Sequence, residues 1–202
     1  MPEMNDTYLT IAAPAEAALR ERSSKFLAFA WPVTDEVQIG EHLEALHKKY
    51  YDATHHCYAW RLGPDGARFR ANDDGEPSGT AGRPILGQML SNSLTDCLIV
   101  VVRYFGGTKL GVPGLIAAYK DSAAEVIAAA EVVERTVDVQ FRVTFPYEVM
   151  NDVMRIVKEE QPTVVAQEFD NVCVMTLSIR SSRADVLEGR LRKAEGVGAE
   201  RC

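Results

Sequence analysis

The sequence predicts an α+β protein with two domains, and three observations support this prediction. The chain has 202 residues, of which 47% are hydrophobic and 25% are charged, so each half can bury a core. Helix-like and strand-like segments alternate through residues 1–134, where two glycine-rich loops interrupt them. Residues 135–202 show the order βαββαβ, which is typical of a ferredoxin-like domain. We therefore predict domains over 1–134 and 135–202.

Apolar periodicity and turn signals predict six elements in the first domain. A capped amphipathic pattern indicates a helix over 35–50, with Asp35 at its N-cap. The nearly continuous apolar run 97–105 is typical of a central strand that is buried on both faces. Turn-forming residues dominate 63–83, so a loop is expected there. The other predicted elements are strands over 25–31 and 55–62, a helix with Pro84 at its first position, and a helix over 113–130.

The second domain has simpler patterns. Alternation predicts strands over 136–147, 163–169, 172–180 and 197–201, and amphipathic spacing predicts helices over 148–160 and 183–194. Five basic residues cluster near the end of the chain: Arg180, Arg183, Arg190, Arg192 and Lys193. We interpret this cluster as a solvated helix face, and contact with RNA or the ribosome is the alternative.

The charge distribution bears on the choice of partner. The net charge is −7, and residues 1–134 contain 12 Lys and Arg against 18 Asp and Glu. Proteins that bind nucleic acid by bulk electrostatics usually carry a basic face, so this excess disfavours general attraction to phosphate backbones. A local basic site in a cleft remains compatible with the net charge.

Several features predict a soluble cytoplasmic protein. No stretch approaches the ~18 consecutive apolar residues of a membrane span, and the N-terminus lacks the basic and apolar regions of a secretory signal. The four cysteines are widely separated and form no C-x-x-C pair, which is typical of reduced thiols. The pattern does not indicate an oligomeric state or the relative orientation of the domains.

The first glycine-rich segment spans residues 72–84 and leads into a predicted helix. Helix N-termini bind anions through free N–H groups and a positive dipole end. The segment supplies further donors and close-approach glycines, so the candidate anion-binding residues are Ser78, Gly79, Thr80, Gly82 and Arg83. The alternative is a capped loop in which Ser and Thr only satisfy the helix N–H groups.

The second glycine-rich segment, 103–114, connects the buried strand to a helix. Ligands favour the carboxyl ends of strands in open α/β sheets, and Arg103 and Lys109 supply positive charge there. Gly106, Gly107 and Thr108 complete this candidate site. The segment does not match the Walker pattern, because threonine precedes lysine. A glycine loop with two solvated cations is the alternative, but two such loops in one domain favour a shared anion site.

The third segment, 52–61, carries the reactive side chains. On a strand, His56 falls on the face expected to be the core, whereas His55 and Arg61 share the other face and are candidates for anion binding. His55 is the one candidate acid or base, and Cys57 is interpreted as a small buried thiol rather than a nucleophile. Asp73, Asp74 and Glu76 offer oxygen ligands, but their spacing matches no standard metal site. We therefore expect neither a metal nor a cofactor.

Taken together, three motifs resemble those of the IMPACT/YigZ family. They are D-A-T-H-H-C-Y-A-W-R at 52–61, D-D-G-E-P-S-G-T-A-G-R-P at 73–84 and V-V-R-Y-F-G-G-T-K-L-G-V-P-G-L at 101–115. The resemblance covers essentially the whole chain and is to the bacterial type. It implies a first domain like the second domain of a small-subunit ribosomal protein, and a second domain like the last domain of elongation factor G.

The resemblance also carries expectations about function. Eukaryotic relatives regulate translation during amino-acid starvation by competing for an activator of an initiation-factor kinase. They carry an extra N-terminal protein-binding domain that this sequence lacks, so that partnership does not transfer. The bacterial type implies association with the ribosome, RNA or a translation factor. An enzyme acting on a phosphorylated or carboxylated small molecule is the alternative, with His55 as acid or base and Arg103 and Lys109 clamping the anion.

Overall fold

The structure, a computed structural model, describes residues 6–202. Its described residues form two compact units. One unit is Tyr8–Arg135, and the other is Thr136–Cys202 together with Asp6 and Thr7. Both units combine helices with sheets, which confirms the predicted α+β class.

The first unit contains most of the secondary structure. Its strands are β1 Thr7–Ile11, β2 Ala15–Glu21, β3 Ser24–Pro32, β4 His55–Leu62, β5 Arg68–Asn72, β6 Cys97–Tyr104 and β7 Val132–Thr136, and its helices are α1 Glu36–Lys49, α2 Gly82–Ser91 and α3 Gly111–Ala129. Five strands form one antiparallel sheet in the order β2-β3-β6-β4-β5, whereas β1 pairs with β7. The central strand β6 is buried along nearly its whole length, as its apolar sequence predicts.

Helices cover both faces of this sheet. Helices α2 and α3 pack on the face that carries Cys57 and Ala59, and α1 packs on the face that carries Trp60 and Leu62. Asp35 caps α1 as predicted, because its carboxylate accepts hydrogen bonds from the first-turn N–H groups at 2.9 Å. Strand β4 is therefore buried on both faces, and the expectation of one core face was wrong.

Four strands of the first unit were not predicted from the sequence. Strands β1, β2 and β7 were not expected, and β5 lies within the segment predicted as a loop over 63–83. In addition, α2 begins at Gly82, so Pro84 is its third residue rather than its first. The missed strands lie at sheet edges or in a separate pair, where polar side chains on exposed positions obscure the alternation.

The second unit has the predicted βαββαβ order. Its elements are β8 Asp138–Pro146, α4 Met150–Glu160, β9 Thr163–Glu168, β10 Val172–Arg180, α5 Ser181–Leu191 and β11 Gly198–Arg201. The four strands form an antiparallel sheet in the order β11-β8-β10-β9, which is the ferredoxin-like arrangement. A short 3₁₀ turn over Tyr147–Val149 precedes α4.

Much of the basic cluster in this unit is paired with carboxylates. Arg190 donates to Glu160 at 2.6 Å and also to Glu159, and Arg183 donates to Glu160 at 2.9 Å. Arg192 lies 2.7 Å from Glu188. The local positive charge available to a phosphate backbone is correspondingly reduced. Among the helices of residues 6–202, none is both long enough and apolar enough to cross a bilayer.

Candidate functional site

The candidate site lies in the first unit, where β4 begins and β6 ends. These two strands are antiparallel neighbours, and His55 pairs directly with Arg103 across them. The loop between β5 and α2 folds over this end of the sheet and brings Glu76 against both strands. Helix α3 closes the other side and contributes Tyr119.

Glu76 is the centre of a buried polar network. Its Oε1 accepts a hydrogen bond from Arg103 Nη1 at 2.5 Å and another from the Tyr119 hydroxyl at 2.8 Å. The side chains of Glu76 and Arg103 are only 3% and 6% exposed. The Arg103 guanidinium also packs over the rings of Phe26 and Phe105. Arg103 is therefore a buried partner of Glu76, rather than a free cation as the sequence suggests.

Cys57 belongs to the same network as a structural thiol. It donates to the Asp73 carbonyl oxygen at 3.0 Å and lies 3.3 Å from the Tyr119 hydroxyl. Burial, followed by the charges of Glu76 and two nearby aspartates, raises the pKa of the Cys57 thiol, even though Tyr119 partly opposes the shift. Since the thiolate is the nucleophilic form, this environment disfavours nucleophilic chemistry at Cys57.

His55 is held between two segments of the folded loop. Its Nδ1 lies 2.7 Å from the Asp74 carbonyl oxygen, which can only accept, so Nδ1 carries the proton. Its Nε2 lies 3.8 Å from Glu76 Oε1, and its side chain is 18% exposed. The structure thus brings His55, Glu76 and Arg103 together, with the imidazole nearest to a carboxylate.

Asp73 occupies the N-terminus of α2. Its two carboxylate oxygens accept hydrogen bonds from the backbone N–H groups of Gly79 at 2.8 Å, Ala81 at 3.0 Å and Gly82 at 2.8 Å. Desolvation acts to raise the pKa of this carboxyl, but these hydrogen bonds and the charge of Arg83 together lower it. The N–H groups expected to bind an external anion are therefore already taken by a carboxylate of the chain itself.

The remaining members of the first glycine-rich segment have mainly structural positions. Thr80 is buried and donates to the Pro77 carbonyl oxygen at 2.6 Å. A Cβ at Gly82 would lie 2.5 Å from the Asn72 backbone nitrogen, so a glycine is required to let α2 approach β5. Ser78 is exposed, as is Arg83. The capped-loop alternative describes this segment better than the anion-site interpretation.

The three acidic candidates for metal binding have separate partners. Asp73 caps α2, Glu76 pairs with Arg103, and Asp74 accepts from the His56 backbone N–H at 2.6 Å. No group of three or more His, Cys, Asp or Glu side chains within residues 6–202 is arranged to hold a metal ion.

The second glycine-rich segment forms an exposed loop that is anchored at its base. The backbone N–H of Phe105 donates to Thr54 Oγ1 at 3.1 Å, and that of Gly106 donates to Ser24 Oγ at 3.2 Å. A Cβ at Gly106 would lie 2.1 Å from the Ser23 carbonyl, so only glycine allows this close approach. The outer part of the loop is solvent-exposed and consists of Gly107, Thr108 and Lys109.

Arg61 is separated from the other candidates. It lies near the opposite end of β4, where Nη1 donates to the Leu94 carbonyl oxygen at 2.6 Å. Its Nη2 lies 3.5 Å from the Gly66 carbonyl oxygen. These contacts tie loops together, so the structure does not place Arg61 at the shared site.

A cavity of about 390 Å³ opens between the loop and the start of α3. It is lined by Glu76, Pro77, Arg103, Phe105, Lys109, Leu110, Gly111, Val112 and Leu115. Within the described part of the chain, no side chain caps α3, in contrast to the carboxylate at the start of α2. Among the described residues, the Lys109 ammonium has neither a hydrogen bond nor an ion pair. The free positive end of the site therefore belongs to α3 rather than α2.

Sequence reasoning missed several residues of this cavity. Phe105 and Val112 are 47% and 52% exposed and were treated as part of a glycine loop, although an exposed aromatic beside a cation is a recognisable signal. Tyr119, which bonds to Glu76 behind this lining, was not singled out either, although a buried tyrosine hydroxyl requires a partner. That requirement points to a polar group such as Glu76 without identifying it.

Comparisons with known proteins are consistent with the three motifs. Residues 22–127, more than half of the chain, match the Impact N-terminal domain. IMPACT family member YvyE of Bacillus subtilis strain 168 is 40% identical over 132 residues, which cover 65% of this chain and 61% of that protein. IMPACT family member YigZ of Escherichia coli strain K12 is 25% identical over 189 residues, which cover 92% of both chains.

Solved structures show similarity as well. A crystal structure of a hypothetical protein covers 98% of this chain and 97% of its own, with a TM-score of 0.72 and 23% identity, and it supports the fold. The two-domain translational regulator Yih1 is 27% identical over 64% of this chain and 49% of its own. Its TM-score of 0.37 adds nothing to the fold assignment.

Proposed function

The chain belongs to the IMPACT family, and from this premise we propose that it is a translation-associated binding protein that contacts the ribosome through its second glycine-rich loop. The domain limits predicted from the sequence, 1–134 and 135–202, are part of this proposal, because contact is assigned to the first domain. Family resemblance supports a connection with translation. The exposed loop Phe105–Lys109 is the single observation that supports the contact surface.

The loop combines exposure with a fixed position. Phe105 is 47% exposed, and Lys109 offers a cation with no partner among residues 6–202. Hydrogen bonds to Thr54 and Ser24 hold the base of the loop against two neighbouring strands. A preorganised aromatic and cationic pair loses little conformational entropy on binding, which is typical of interface anchors.

Charge favours a structured partner over naked nucleic acid. The net charge of −7 opposes general attraction to phosphates, and arginines of the basic cluster are occupied by Glu159, Glu160 and Glu188. A ribosome offers shaped protein and RNA surfaces, so a small anchored loop can recognise it without a broad basic face.

The buried network favours binding over catalysis as the role of this site. Glu76 and Arg103 neutralise each other, and burial raises the pKa of the Cys57 thiol. His55 faces a carboxylate at 3.8 Å rather than a nucleophile. These contacts stabilise the end of the sheet on which the loop is mounted.

Cosedimentation with purified 70S ribosomes tests the proposal. We expect the wild-type chain to pellet with ribosomes at low salt, and Phe105→Ser/Lys109→Ala to lose at least about tenfold in affinity, because anchor residues carry most of the binding energy. The matched control is Phe69→Ser/Lys120→Ala, which removes a 60% exposed phenylalanine and an exposed lysine of the same unit.

The control distinguishes the loss of a specific contact surface from a general effect of removing one charge and some apolar area. Equal loss in the two double variants would remove the loop from the contact surface. Unchanged binding in both variants would do the same. Absence of wild-type cosedimentation at any salt concentration would overturn the ribosome as the partner.

A further inference from the structure

The cavity beside α3 has the lining of a small-molecule site. Its volume of about 390 Å³ lies within the range of roughly 300–1,000 Å³ that is usual for ligand pockets. Apolar groups form most of its wall: Pro77, Phe105, Leu110, Val112 and Leu115. Three charged side chains interrupt this wall, namely Glu76, Arg103 and Lys109.

The three charged side chains of the wall leave the cavity with one positively charged end. Glu76 and Arg103 form an ion pair at 2.5 Å and compensate each other. Lys109 has no partner among the described residues, and it stands beside the uncapped start of α3 at Gly111 and Val112. The cavity therefore matches a ligand with a single negative charge, whereas a dianion would leave one charge uncompensated near Glu76.

Two polar atoms in the wall have no hydrogen-bond partner among residues 6–202. Oε1 of Glu76 receives both of its hydrogen bonds, so its Oε2 has none among residues 6–202, and this oxygen keeps some exposure in a side chain that lines the cavity. Arg103 Nε is fully buried and has no hydrogen bond to the described residues. A carboxylate oxygen only accepts hydrogen bonds, so the open Oε2 in the cavity lining favours a hydrogen-bond donor on the ligand.

We propose that this cavity binds a small carboxylic acid with an apolar body and one hydrogen-bond donor. The carboxylate faces Lys109 and the N–H groups at the start of α3, the donor faces Glu76 Oε2, and the apolar body lies against Phe105, Val112 and Leu115. This inference goes beyond ribosome contact and does not depend on it, since each binding event can be measured without the other.

Amide chemical shifts of the full chain, titrated with defined probes, test the inference. The probes are phenyllactate, mandelate and 2-hydroxy-4-methylpentanoate, and the comparators are phenyllactamide, phenyl phosphate and inorganic phosphate. We expect at least one acid to shift the amides of Lys109, Gly111 and Val112 with a Kd of about 1 mM or tighter. We expect phenyllactamide to bind at least about tenfold more weakly, because it lacks the charge.

Two variants locate the site. Lys109→Met is expected to weaken acid binding at least about tenfold, whereas Lys120→Met, an exposed position on α3 outside the cavity lining, leaves it unchanged. Val112→Trp places a large ring on an exposed wall residue and is expected to block the cavity without unfolding the chain. Acid binding that survives Val112→Trp or Lys109→Met would place the site elsewhere.

Three further results would overturn the proposal. The first is that none of the acids shifts the amides at concentrations up to about 10 mM. The second is that phenyllactamide binds as well as phenyllactate. The third is that phenyl phosphate or inorganic phosphate binds more tightly than the acids, which would assign the cavity to phosphate.

Discussion

Replacing Arg103 with methionine removes the cation from the buried ion pair with Glu76. Both side chains are more than nine-tenths buried, and their closest atoms lie 2.5 Å apart. Breaking a buried pair by removing one partner typically costs about 3–5 kcal/mol, because an uncompensated charge stays behind. Since domains are stable by roughly 5–15 kcal/mol, Arg103→Met should remove a large part of the unfolding free energy.

Urea denaturation of the wild type, Arg103→Met and a matched Lys109→Met variant measures this effect. We expect Lys109→Met to change the unfolding free energy by less than about 0.5 kcal/mol, because Lys109 is exposed. In the double variant Arg103→Met/Glu76→Gln, the neutral amide still accepts from Tyr119, so part of the lost stability should return. The reasoning is refuted if Arg103→Met costs no more than Lys109→Met, or if the double variant is less stable than Arg103→Met.

Three further predictions concern stability. Gly106→Ala should lower the unfolding free energy by several kcal/mol, because its Cβ would lie 2.1 Å from neighbouring backbone. Gly87→Ala, in the open interior of α2, should instead raise the unfolding free energy by about 0.5–1 kcal/mol, and thermal melting of the two variants compares these effects. Burial, and then the adjacent His47, lowers the pKa of His56 below 6.5. The urea midpoint of the wild type should therefore fall as pH drops from 6.5 toward that lower pKa. An equal fall of the midpoint in His56→Gln would contradict the assignment of this pH dependence to His56. Asp73→Asn should lower the unfolding free energy by about 1–3 kcal/mol and flatten its loss below pH 4. The reason is that the lowered Asp73 pKa contributes stability that is present above pH 3.8 and lost as pH falls through the folded-state pKa. An unchanged pH dependence below pH 4 in this variant would count against the capping role of Asp73.

The elements that the sequence predicted well are those with continuous burial. Strand β6 is a run of apolar residues buried on both faces, and α1 carries a capped amphipathic stripe, so periodicity locates both. Strand β2 has the sequence A-E-A-A-L-R-E, which has little strand propensity, and pairing with β3 decides its conformation. Strand β5 is mostly exposed and charged, so its surroundings of turn-forming residues masked it.

The candidate site was likewise predicted in part from the sequence. The two glycine-rich loops and Arg103 stand out in the sequence, and the structure places the loops at the same end of the sheet. The partner of Arg103 lies 27 residues away, and Asp73 accepts from three N–H groups at and just before the start of α2. Such pairings depend on tertiary geometry, so sequence alone assigned the free helix end to α2 when it belongs to α3.

Photo-cross-linking from the loop to purified ribosomes tests the central claim most directly. A photoreactive amino acid at position 108, in the exposed part of the loop, is compared with the same group at position 120 on the exposed face of α3. We predict defined adducts with ribosomal components from position 108 and none from position 120. Equal labelling from both positions, or no adducts from position 108 under conditions of cosedimentation, would contradict contact through this loop.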